Sequence, residues 1–442
     1  MRTWIKDPLA IFAEGAERGL LVEGTRIVAR VGAGASPERV DAVFDASRHV
    51  VLPGLVNTHH HFFQTLTRAH RLAINKPLFP WLMALYPVWS RLTPGRLRLA
   101  ARLALTELLM SGCATAADHH YLYPAGLEDA VDIEVEEALK LGMRMTVTRG
   151  SMNLSVKDGG LPPDAVVQDE ETILADSERV LKLFHDPKPS ARIRVALAPC
   201  SPFSISKALM SESARLAERH DCRLHTHLCE TADEERFCLK MYGLRPVELL
   251  EETGWMSPRT WLAHGVHFNA EEIARLGKAG VGVSHCPTSN AVLASGICPT
   301  CDLEAEGAPL GLGVDGSASN DASNMMEAIR HALMLGRLRY GAEKVTHLDA
   351  LRWATEGSAR CLGRADIGKI EPGREADLAF FKLDEARFSG AHDPLAALVL
   401  CGAHRADRVM VAGEWRLVDG EPVGLDVAQL IAEHSAAARD FA

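Results

Sequence analysis

The chain has 442 residues and a formal net charge of -10. That length exceeds what one hydrophobic core usually spans, so a large domain plus a small one is expected. The acidic balance and the scatter of Lys and Arg exclude nucleic acid as a partner, because phosphate binding wants a basic face.

No run approaches the roughly 18 apolar residues that cross a bilayer, so no membrane partner is expected. The start, Met1-Arg-Thr-Trp-Ile-Lys-Asp-Pro8, meets charge and proline too early for a secretion signal. The ten cysteines sit mostly in apolar stretches, as Cys113, Cys222 and Cys286 do, and read as reduced core residues. A cytoplasmic location follows as the expectation.

Residues 1–56 carry short β-type runs at Leu20-Leu-Val-Glu23, Arg26-Ile-Val-Ala-Arg-Val31 and His49-Val-Val-Leu52. Similar runs return at Asp377-Leu-Ala-Phe-Phe-Lys382, Ala406–Gly413 and Glu414–Gly420. Both ends are therefore expected to build one composite β-sandwich domain from 1–56 and 366–425, with a barrel over 57–365 and a C-terminal helical segment over 426–442. Between the ends, apolar or β-branched runs recur at 51–58, 113–118, 143–148, 193–198, 223–227, 260–264, 281–285 and 309–314. Segments of helical spacing separate them, such as Leu97–Leu109. Eight strands alternating with helices predict an α/β fold, a (β/α)8 barrel of TIM type, with a doubly wound open sheet as the alternative.

Polar residues gather where the runs end. His59 and His61 close the first, Asp118-His-His120 the second, Cys200-Ser201 the fourth, His227 with Glu230 the fifth, His264 the sixth, His285 the seventh and Asp315 the eighth. A lone pair of histidines is most simply a loop cluster. Chance placement at so many strand ends is improbable, and strand C-termini form the catalytic face of such barrels. The pleat puts His59 and His61 on one side and His60 on the other.

With His227 and Asp315 they compose an N3O set for one divalent ion, Zn2+ first and Fe2+ as the alternative. Glu230, three residues past His227, is placed as a proton shuttle. His264 is placed to steady the developing oxyanion, and Asp315 to ligate and also accept a proton. Asp118, His119 and His120 are expected to form a hydrogen-bonded network, and His285 an outer-shell partner.

Two patterns mislead. Gly311-Leu-Gly-Val-Asp-Gly316 matches GxGxxG but holds an acid and does not open a βαβ unit. Cys298-Pro-Thr-Cys301 lacks the second pair that a zinc ribbon needs. The cytidine deaminase signature is absent from the sequence.

Pro53–His61, His225-Thr-His-Leu-Cys-Glu230, Leu262-Ala-His-Gly265, His285–Asn290, Gly313–Asn320 and Gly368–Asp377 together resemble the amidohydrolase superfamily. They are most similar to its mononuclear aminohydrolase branch, and the resemblance covers nearly the whole chain. It implies ligation by His59, His61, His227 and Asp315, with Glu230 and His264 catalytic. Binuclear members carry a carboxylated lysine or a glutamate at the fourth strand, where this chain has Cys200 and Ser201, so one ion is implied.

The implied reaction is hydrolytic deamination of a small-molecule aminopurine, 8-oxoguanine and water giving urate and ammonia. Gln64, Arg149, Cys200 and Ser201 are the substrate-binding candidates, Gln64 because a primary amide both donates and accepts. Cys200-Ser-Pro-Phe203 replaces the Arg-Phe pair of guanine deaminases, which puts guanine itself in doubt. Alternatives are a deaminase of guanine or of a pterin such as isoxanthopterin, a triazine hydrolase, or, in another class, an inactive metal-binding scaffold. Trp81, Tyr86 and Trp89, expected in a loop, are candidates for covering a planar base. The resemblance further implies a homodimer or higher homo-oligomer.

Overall fold

The computed structural model describes residues 1–441. Eight parallel strands run in sequential order: Leu55–Val56, Cys113–His120, Arg144–Ser151, Ile193–Pro199, Arg223–Leu228, Thr260–His264, Gly282–His285 and Leu310–Leu312. Backbone bonds from Thr58 N–H to Leu312 O and from Asp315 N–H to His59 O, each 3.0 Å, join the first strand to the last. Strand order never reverses, so the barrel stands and the doubly wound alternative falls.

The first apolar run is a correction. It is two strands, because only Leu55–Val56 joins the barrel, whereas His49–Pro53 pairs antiparallel with Leu378–Lys382. Gly54 is the joint: a Cβ there would lie 2.5 Å from that of Ala114. The terminal strands form a four-stranded sheet and a six-stranded sheet, the latter combining His49–Pro53 with strands from the far end of the chain.

Helices cover the barrel for local reasons. Over Ala270–Ala279, the Asn269 side chain accepts from Glu272 N–H while Glu272 reaches back, and Ile273 and Leu276 are buried. Losing such a cap costs about 1 kcal/mol. Arg144, fully buried at the base of the third strand, binds Asp377 at 2.7 Å and ties the sheet domain to the barrel. Truncating one member of such a buried pair costs roughly 3–5 kcal/mol.

Two further elements cap the catalytic end. Trp81, Tyr86 and Trp89 belong to a helix, Leu78–Trp89, and not to a loop. The C-terminal helix, Val427–Phe441, leans on the same region through His434, whose Nε2 is 3.0 Å from Thr65 Oγ1.

Candidate metal centre and active site

His59, His61, His227, His264, Glu230 and Asp315 meet at the C-terminal mouth of the barrel, all buried. Hydrogen bonds fix which imidazole nitrogens carry protons. His61 Nδ1–H donates to His119 O at 2.7 Å, and His227 Nδ1–H to Cys200 O at 2.6 Å. His225 Nδ1–H donates to Trp261 O at 2.8 Å, which leaves its Nε2 to accept from His59 Nδ1–H, also at 2.8 Å. The rings of His59, His61 and His227 thus each aim a bare Nε2 inward. Burial first, then neighbouring histidines, pushes the His61 imidazole down to about 3, so the neutral metal-binding form prevails.

The bare nitrogens of His61 and His227 stand 3.1 Å apart, and both His59 and His61 Nε2 lie 3.3 Å from Asp315 Oδ1. His59 Nε2 is buried with no hydrogen-bond partner among the described residues. Converging lone pairs beside a carboxylate repel one another unless a cation sits among them. Ligands about 2.0–2.1 Å from a tetrahedral ion stand roughly 3.3–3.4 Å apart, so this donor set fits one divalent ion.

On the other side of the mouth, His264 Nε2 lies 3.5 Å from Glu230 Oε2 and 3.9 Å from Asp315 Oδ2. Its Nδ1–H donates to Asn290 Oδ1 at 2.9 Å. Burial works against charge on His264, but Glu230 and Asp315 outweigh it and hold the ring above its usual value. Burial pushes Glu230 up to about 7. Cys229, His264 and Asp315 all adopt positive φ, at 53°, 74° and 68°. Such backbone costs about 1–3 kcal/mol per residue and persists where surrounding contacts hold it.

Gln64 and Cys200 line the small cavity beside these groups, together with Trp81, Tyr86, Tyr121 and Phe203. Gln64 Oε1 accepts from Ala318 N–H at 3.3 Å. Gly316 makes room for it, since a Cβ there would meet Gln64 Oε1 at 2.0 Å. The Cys200 thiol is pushed up to about 12 by burial and stays protonated, while its carbonyl locks His227.

Two substrate-binding candidates lie elsewhere. Arg149 is held by Asp176 at 2.6 Å and Gln168 at 2.8 Å and stacks on Tyr123, so it braces the barrel wall. Ser201 Oγ turns to Ser204 Oγ at 2.9 Å, away from the cavity. No hydrogen bond links the His285 ring to the metal set among the described residues, where it leaves its Nδ1 without a partner. The outer partners are His225 and Asn290.

Glu234 is a functional residue that the sequence reading missed. Its two carboxylate oxygens accept from Cys229 N–H at 2.8 Å and Glu230 N–H at 3.0 Å, fixing the turn that aims Glu230. The spacing Thr231-Ala-Asp-Glu234 fits a capping box, which would aim Glu234 at Thr231 N–H. No such box forms; the carboxylate instead reaches the two residues before Thr231, a contact no sequence pattern signals.

Residues 50–416 match the model of the Amidohydrolase family. The chain belongs to that family. The relatives agree. Over 441 residues this amidohydrolase is 65% identical to 8-oxoguanine deaminase of Pseudomonas aeruginosa, covering 99% of this chain and 98% of that one. It is 36% identical to an isoxanthopterin deaminase of an unknown prokaryotic organism, over 92% of this chain and 88% of the relative. Among solved structures, the atrazine chlorohydrolase of Arthrobacter aurescens TC1 complexed with zinc superposes with a TM-score of 0.93 at 32% identity, over 99% of this chain and 100% of that chain.

Proposed function

We propose that this amidohydrolase deaminates 8-oxoguanine hydrolytically, giving urate and ammonia. The observation that carries the substrate is the 65% identity to the Pseudomonas aeruginosa 8-oxoguanine deaminase over 99% of the chain. Zn2+, with Fe2+ as the alternative, would be held by His59, His61, His227 and Asp315. When bound, the ion supplies water activation, bringing the pKa of water to about 7.

The residues of the chain do the rest. Glu230, with a carboxyl poised at about 7, takes a proton from the attacking water and delivers it to the departing amine. The new C–O bond forms first and makes the ring carbon tetrahedral; the C–N bond then breaks, and ammonia leaves with that proton as the C=N–C unit is restored. His264 holds the attacking oxygen between Glu230 and Asp315. Asp315 takes the remaining proton from the added hydroxyl and returns it to the adjacent ring nitrogen, which leaves the product a ring amide.

Gln64 offers its amide to the edge of the base, and Trp81, Tyr86 and Phe203 wall its faces. The cavity holds only about 30 Å3 of free space, far below the roughly 300 Å3 at which ligand pockets begin. A reducing, cytoplasmic setting suits ten cysteines that are all free. Family resemblance supports a homodimer, which sedimentation would read.

Ammonia release from 8-oxoguanine, guanine and isoxanthopterin, together with chloride release from a chlorinated triazine, tests the substrate. The expected result is a kcat/KM for 8-oxoguanine well above the others. Comparable values for all four would overturn it.

A further inference from the structure

At the opposite end of the barrel lies a much larger cavity, of about 640 Å3, between the starts of the fourth and fifth strands and the segment 362–374. Five arginines line it against two aspartates, in a chain whose net charge is -10. Both aspartates are engaged. Asp221 pairs with Arg259 at 2.7 Å, and Asp366 is held by Arg364 at 2.7 Å and by Ser190 N–H at 2.8 Å.

Arg194 and Arg223, at the bases of strands four and five, have no such partner. Among the described residues Arg194 donates only to backbone carbonyls, Gly363 at 3.0 Å and Pro187 and Lys188 at 3.1 Å, and its buried Nε–H meets no partner. Arg223 makes no side-chain hydrogen bond or ion pair among the described residues. Its Nε is buried and unpartnered, and its nearest aromatic support is Trp261, 5.9 Å from the guanidinium. Gly363 leaves it room, since a Cβ there would come within 2.7 Å of an Arg223 Nη.

Burial, with Arg194 and Arg259 adding to it, pushes Arg223 down to about 10; burial and Arg364 do the same to Arg194. Each remains cationic at neutral pH; Asp366, Asp186 and Asp221 offset the cost at Arg194 only in part, through space, and no carboxylate among the described residues does so at Arg223.

We propose that this cavity is an oxyanion site that takes a phosphate-class ligand, seated between the guanidinium groups of Arg194 and Arg223. Guanidinium forks match tetrahedral oxyanions with paired, charge-assisted bonds, which point-like ammonium groups do not. The volume also falls in the range of small-molecule pockets, so a phosphomonoester fits as well as free phosphate. The proposal is independent of the reaction at the other end.

Isothermal titration of the metal-loaded full chain tests it, with chloride at matched ionic strength as the reference. Inorganic phosphate and a nucleoside monophosphate are the two probes. Both R223Q and R194Q are expected to weaken phosphate binding at least tenfold while deamination stays unchanged. Tighter binding of the monophosphate assigns a phosphomonoester, and equal or weaker binding assigns the free anion; either supports the site. R194Q carries the test alone if R223Q does not fold. The proposal falls if the native chain takes up phosphate no better than chloride, or if binding survives both substitutions. It also falls if phosphate has no effect and the arginine variants instead change the mass of the particle, which would make the cavity a contact between copies.

Discussion

The strand Cys113–His120 carries a polar cluster on each of its faces, and the two make different demands. On the inner face, His119 stacks on His227 at 4.7 Å and joins His59 and His61. On the outer face, Asp118 and His120 meet Glu134 of the next helix. In both, the candidate ligand atoms lie within 4.8 Å of one another, and all the residues are buried. Distance and burial therefore do not separate a metal site from a structural network; proton bookkeeping does. Inside, three rings present bare nitrogens to a carboxylate, beside a cavity. Outside, His120 Nε2–H donates to Leu122 O at 2.7 Å, and its bare Nδ1 lies 3.1 Å from Glu134 Oε1. One proton on Glu134 satisfies that contact.

The largest expected effect lies on the inner side. E230Q keeps the shape of the side chain but cannot carry a proton, so deamination should fall by about 10³-fold or more, with metal content by elemental analysis unchanged. Normal turnover in that variant would remove Glu230 from the shuttle. Next comes H225A, which deletes the acceptor that orients His59. Metal affinity should drop by about 10–100-fold in a chelator competition, with activity restored by excess metal. Unaltered affinity would mean that the His59 tautomer is not set by His225.

Much of this inner cluster was legible in the sequence because strand pleat and strand ends are local properties. Alternation predicted that His59 and His61 face together, and His60 indeed turns away to Ser323, 2.8 Å from its Nε2. What stayed hidden depends on registry between strands. Arg149 pairs with His120 in the sheet and so shares its outward face, but no single strand reveals that register. The change of sheet at Gly54 was invisible for a related reason: the apolar run is continuous, and only the approach of Ala114 demands the glycine. Ser201 was lost to a local turn in which Ser204 competes for its hydroxyl.

The outer cluster yields the smallest effect and the sharpest contrast. Burial pushes Glu134 up to about 8, against an ordinary 4.5. Its folded form thus binds a proton that the unfolded chain has released, and stability is linked to pH with a negative slope across that interval. The contribution is fully present below about pH 4.5 and is lost as pH rises through about 8. The slope for one such group is about 1.4 kcal/mol per pH unit. E134Q supplies a permanent donor to His120 Nδ1 in place of the titrating acid. Denaturant unfolding of E134Q between pH 5 and 8 should therefore show a slope shallower than that of the parent by about this amount, with deamination within twofold. A parallel pair of slopes would mean that Glu134 is not the proton carrier. A loss of bound metal would be graver, because a second ion would then occupy the outer face and the distinction between the two clusters would vanish.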